Sequence, residues 1–100
     1  MSEFSRKPLS DDAIQAGLAE LDGWELDDDA IQRLFEFRSF REAMSFMVRI
    51  GFEAEDMDHH PELSNVYNRV HVALSTHDAG NKVTELDLEL ARRINHFSWI

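Results

Sequence analysis

The proline at position 61 stands between two stretches of different hydrophobic spacing. Before it, Phe40, Met44, Met47, Val48, Gly51 and Ala54 recur at steps of three and four residues, the period of one helix face. After it, Val70, Val72 and Leu74 alternate with His71, Ala73, Ser75 and His77, the period of a strand. Pro61 has no N–H with which to continue a helix, and its ring pushes His60 out of helical backbone space. A helix must therefore end at the adjacent histidines His59 and His60, and an extended segment must start behind them.

The same two periods organise the rest. Ser10 reads as a helix N-cap with Asp11 and Asp12 in the first turn; Ile14, Leu18 and Leu21 follow at helical spacing and Gly23 marks the stop. "GWEL" reads as a short strand turning through "DDDA". It pairs as a hairpin with "AIQRLFEFRSF", in which Ile31, Arg33, Phe35 and Phe37 alternate with Gln32, Leu34, Glu36 and Arg38. Ser39 caps the second helix, and Glu42 completes a capping-box pattern. "LSNVYNRVHVALST" reads as strand, turn, strand with the bend at Asn68-Arg69. Thr84 caps a last helix whose Leu86, Leu90 and Ile94 face inward. The predicted order is α-β-β-α-β-β-α, an antiparallel sheet with helices packed on one face, of the α+β class. No repeat or linker interrupts it, so residues 1–100 are read as a single domain.

Composition narrows the function classes. Twenty acidic against ten basic residues give a net charge of −10, which repels a phosphate backbone; direct nucleic-acid binding is not expected. The acid is spread along the chain, as solvated surface would be. There is no cysteine, which excludes disulfides and thiolate metal sites. No stretch approaches the roughly 20 apolar residues of a membrane span, and the first residues hold no apolar run fit for a signal peptide. The expectation is a cytoplasmic protein without membrane contact.

Four of the five histidines lie between residues 55 and 78. His59 and His60 follow a helix, His77 ends a strand and Asp87 begins another helix, so a second helix lying across the sheet would bring these ends to one pocket. Three readings compete for such a cluster. Glu55, Asp58, His59 and His77 offer metal ligands, but adjacent histidines chelate one ion poorly and no H-x-x-x-H spacing occurs. The histidines can be structural, capping or bridging while the acidic face docks a partner. Or they are general acids and bases, since an imidazole with a pKa of about 6.5 both gives and takes protons. Nucleophilic catalysis finds no support: Ser64 and Ser75 lack an elbow motif, and the glycines form no phosphate loop. These residues describe a pocket for moving protons on a small, uncharged or cationic ligand, and they do not name it.

The string "E-x-x-x-H-H-P" at 55–61, then Tyr67, "STHD" at 75–78, and Asp87 after Thr84-Glu85-Leu86 resembles the pterin-4a-carbinolamine dehydratase family. "GWEL", "FEFRSFREAMSFMVRIGFEAE" and "NVYNRVHVALSTHDAG" extend the likeness over about residues 9–97. The resemblance implies a four-stranded antiparallel sheet with three helices, assembled as a homodimer or homotetramer. It implies dehydration of 4a-hydroxytetrahydrobiopterin to quinonoid dihydropterin, with the pterin as substrate and no metal or organic cofactor. By position, His59 and His77 carry the proton transfers, His60 holds or helps protonate the substrate, and Asp87 orients a histidine. Pro61 shapes the pocket, while Asp58, Ser75, Thr76 and Asp78 stand where the family contacts its pterin. His71 is expected in packing or support and His96 on the surface.

One position departs from the family. Leu63 stands where an aromatic residue is usual, leaving less surface to wall in a flat pterin. It keeps open a related substrate, such as the pterin portion of a molybdenum cofactor. A different class of function also remains, because animal members of the family act as dimerisation partners of a transcription factor. The full set of acid–base residues favours catalysis over docking.

Overall fold

The computed structural model describes residues 4–99. Its elements follow the predicted order: α1 (Asp11–Leu18), β1 (Glu25–Asp27), β2 (Ala30–Glu36), α2 (Phe40–Met57), β3 (Glu62–Val66), β4 (Arg69–Leu74) and α3 (Glu85–Phe97), with a single-turn 3-10 helix at His77–Ala79. The four strands form one antiparallel sheet in the order β1-β2-β4-β3, so β3 is an edge. Among the described residues no helix is long and apolar enough to cross a membrane.

Alternation decides the two faces of the sheet. Ile31, Phe35, Val70, Val72 and Leu74 are fully buried beneath the helices. Arg33 shares that side because its charge is satisfied: Nη1 donates to Asp22 O and Asn95 Oδ1, both at 2.8 Å, and the guanidinium lies 4.3 Å from the centre of the Phe35 ring. Burial lowers its pKa, with the Asp22 charge opposing the shift. Leu34, Val66 and His71 belong to the opposite, open side.

Helix α2 faces the core with a different stripe from the one its spacing suggests. Ala43, Phe46, Ile50, Ala54 and Met57 are buried. Of the expected set only Ala54 is buried and Met47 partly so, while Phe40, Met44 and Val48 are 46%, 42% and 54% exposed. The sequence carries two interleaved apolar stripes, each at helical spacing, and the choice is tertiary. Phe46 packs with its ring centre 4.6 Å from that of Phe35 and 4.8 Å from that of Phe37, and that docking turns Met44 and Val48 outward.

Three local expectations shift as well. The β3–β4 turn is centred on Tyr67-Asn68, one residue before the expected bend. Asn65 Nδ2 closes it by donating to Tyr67 O and Arg69 O, and Asn68 is held to Phe37 through both backbone and side chain. Glu42 does not close a capping box on Ser39; its carboxylate accepts from Arg38 N at 2.9 Å and pairs with the Arg38 guanidinium. Helix α1 ends at Leu18 rather than running to Gly23, because Glu20 and Leu21 bond back over three residues and tighten the chain.

Candidate active site

The end of α2 aims the two adjacent histidines in opposite directions. Asp58 takes the left-handed conformation (φ 50°) at the helix C-cap, and His59 N donates back to Ala54 O at 2.9 Å. That reversal drives the His59 ring into the molecule, where it is 5% exposed. His60 points outward and meets Glu55 Oε1 at 3.0 Å. Pro61 then starts the extended run into β3.

Under His59 lies a closed buried network. Its Nε2 stands 2.6 Å from Oδ1 of Asp87, whose side chain is fully buried. Asp87 Oδ2 accepts from Thr76 Oγ1 at 2.9 Å and from Thr84 N at 2.8 Å, the latter completing a capping box on α3. Since the Thr76 hydroxyl proton is spent on Asp87, the 2.6 Å contact between Thr76 and Thr84 takes its proton from Thr84. With Asp87 ionised, His59 carries its proton on Nε2, and Nδ1 is left as the acceptor toward the cleft.

That cleft measures about 290 Å³ and is lined by Arg6, Asp58, His59, His60, Ser75, His77 and Asp78. Larger concavities exist, including one of about 420 Å³ around Pro8, Asp28 and Lys82, but that one holds no histidine. Among the described residues no group of three or more His, Cys, Asp or Glu side chains is placed to hold a metal ion. Thr76 and Asp87 do not line the cleft; both are buried behind it. His77 starts the 3-10 turn and does not end a strand. β4 stops at Leu74, Thr76 turns inward to Asp87, and Gly80 in the left-handed region (φ 72°) bends the chain back. His77 Nδ1 lies 3.3 Å from Asn81 Oδ1.

Two expected bystanders are outside the cleft. His71 bonds Gln32 at 2.7 Å on the open side of the sheet, and His96 is exposed on α3. Leu63, paired with Val72, is not among the cleft-lining residues. Sequence reasoning missed Arg6, which reaches in from the segment before α1. Its Nη1 lies 3.4 Å from Asp78 Oδ2 and its Nη2 3.4 Å from Asp58 O. No periodicity or motif marks it; the only signal is a cation preceding a capped helix in an acidic chain.

Fold and cleft together put the chain among the small α+β domains whose concave end is lined with proton carriers. Sequence comparison narrows that class: the chain belongs to the pterin 4 alpha carbinolamine dehydratase family, whose profile matches residues 7–97. It is 60% identical over 87 residues to a protein of Opitutus terrae provisionally named a pterin-4-alpha-carbinolamine dehydratase, covering 87% of this chain and 90% of that one. A Mesorhizobium japonicum protein of the same provisional name is 55% identical over 96 residues, covering 94% and 97% of the two chains. The crystal structure of a transcriptional coactivator/pterin dehydratase from Brucella melitensis matches with a TM-score of 0.86 at 44% identity, over 90% of this chain and 97% of that one.

Proposed function

We propose that the chain dehydrates 4a-hydroxytetrahydrobiopterin to quinonoid dihydropterin by general acid–base catalysis at His59 and His77. The observation that carries this is the buried His59–Asp87 pair at 2.6 Å, set under a cleft with two further imidazoles at its rim. The reaction asks for two proton transfers. The C4a–O bond breaks as a proton reaches the hydroxyl oxygen, and water leaves. The N5 lone pair closes the C4a=N5 bond, and the N5 proton then goes to a base.

His59 suits the base, because the Asp87 carboxylate fixes its tautomer with Nδ1 free and stabilises the imidazolium that forms. His77 suits the acid. With its Nδ1–H directed at Asn81 Oδ1, a protonated ring offers Nε2–H to the leaving oxygen and regains its proton from solvent. His60 and Asp58 then hold the substrate together with Ser75 and Asp78, while Thr76 acts through Asp87; Pro61, which is not among the cleft-lining residues, acts by turning the chain away behind His60. No step calls for a metal or an organic cofactor, and the pterin is the substrate.

The test is the decay of enzymatically generated 4a-hydroxytetrahydropterin, followed by ultraviolet absorbance, with wild type, His59→Ala and His77→Ala. Acceleration by wild type and a loss of about 10²–10⁴-fold in each variant, with circular dichroism unchanged, is the expected result. No acceleration by folded wild type removes the dehydratase reading; retention in either variant removes that residue from the proton path.

A second reading, as a protein-docking module, is favoured by one feature of α2. Phe40, Met44, Val48 and Phe52 form an apolar row on the outside of the helix, and Phe52 is 69% exposed. The same row supports a homodimer or homotetramer, joined there or at the β3 edge. Self-association and catalysis are compatible, since neither the row nor that edge lines the histidine cleft.

A further inference from the structure

Arg6 sits in the cleft as the wrong charge for the chemistry assigned to it. Loss of the C4a oxygen develops positive charge across C4a and N5. Asp58 and Asp78 around the cleft favour that charge, and a guanidinium among them opposes it. What Arg6 touches explains its presence better than catalysis does. Two of its N–H groups face two acceptors, the Asp58 carbonyl and the Asp78 carboxylate. A pterin carries a similar donor unit, the 2-amino group beside the ring N3–H, bonded to one carbon as the nitrogens of a guanidinium are.

Resting on the dehydratase reading, we propose that Arg6 is an internal competitor: its guanidinium occupies the acceptor pair that takes the substrate's amino-pyrimidinone edge, and substrate binding displaces it. The contacts suit an occupant that must leave. Both are 3.4 Å, longer than a well-formed hydrogen bond, and the Arg6 and Asp78 side chains are 40% and 68% exposed. The segment does not need them to stay in place. Ser5 N donates to Glu85 Oε2 at 3.0 Å and Leu9 N to Val83 O at 2.9 Å, anchoring the chain on both sides of Arg6. The guanidinium can swing out while its backbone remains docked.

The sign of one substitution separates this role from the alternatives. Arg6→Ala is compared with wild type by calorimetric titration of 7,8-dihydrobiopterin, and of a lumazine, which has oxygen in place of the 2-amino group. KM for the carbinolamine is measured alongside. Vacating the acceptors should tighten dihydrobiopterin binding and lower KM by about two- to fivefold, the scale of one exposed ion pair, with no matching gain for the lumazine. Weaker binding in Arg6→Ala would show that Arg6 donates to the substrate and overturn the proposal. Equal affinity, or an equal gain for both ligands, overturns it as well. If wild type and variant both fail to bind any pterin, the dehydratase reading itself fails and takes the proposal with it.

Discussion

Asp87 accepts three hydrogen bonds with two oxygens, and each donor comes from a different part of the chain: His59, Thr76 and the backbone of Thr84. Asp87→Asn keeps the volume but turns one acceptor into a donor, so either His59 or the Thr76–Thr84 pair loses its partner inside a dry interior. The expected result is a stability loss of about 1–3 kcal/mol in urea unfolding, on the scale of an unsatisfied buried group. Activity should fall by about 10²-fold or more as His59 loses its fixed tautomer. Thr76 was legible in the sequence only as a flank of His77. Its burial continues the alternation of Val70, Val72 and Leu74 one step past the end of β4, with His77 left exposed; what that pattern did not show is the buried Asp87 that Thr76 meets there. The sequence marked Thr84 as the cap of α3, and the family resemblance marked Asp87 as the acid that orients a histidine; which histidine it meets was not legible, because twenty-eight residues separate it from His59 and only the folded helices bring them together.

At the scale of the element, the end of α2 is where fold and site are set by one backbone conformation. Asp58 holds φ at 50°, a region that glycine enters freely and a β-branched residue enters only under strain. Asp58→Gly should therefore keep the chain folded within a few tenths of a kcal/mol, while Asp58→Val should lose about 1–2 kcal/mol in the same unfolding measurement. A rise in KM in the folded glycine variant would report the carboxylate's own contact with substrate; an unchanged KM would confine Asp58 to turning His59 inward. Pro61 made this helix end readable from sequence. The facing of α2 was not readable, since Phe40-Met44-Val48 and Ala43-Phe46-Ile50 both satisfy helical spacing and only Phe35 and Phe37 choose between them.

For the whole molecule, the outward α2 row is one apolar surface left without cover, as are Leu34 and Val66 on the open side of the sheet. Val48 and Phe52 are 54% and 69% exposed on one chain and lie clear of the cleft. Val48→Asp with Phe52→Asp should lower the mass measured by light scattering if copies join along α2, and leave it unaltered if they join at the β3 edge. Helix content by circular dichroism should hold in both cases, because neither side chain belongs to the core. The cleft itself is assembled from the end of α2, the chain just beyond β4 and the segment before α1, over a carboxylate from the first turn of α3. That construction orders events in time. The β1–β2 and β3–β4 hairpins close through neighbours in the chain, whereas the His59–Asp87 pair waits for α2 and α3 to meet. Either hairpin can thus close in a newly made chain before the His59–Asp87 pair forms, and copies caught at that stage lack the buried network under the cleft rather than holding a weaker version of it.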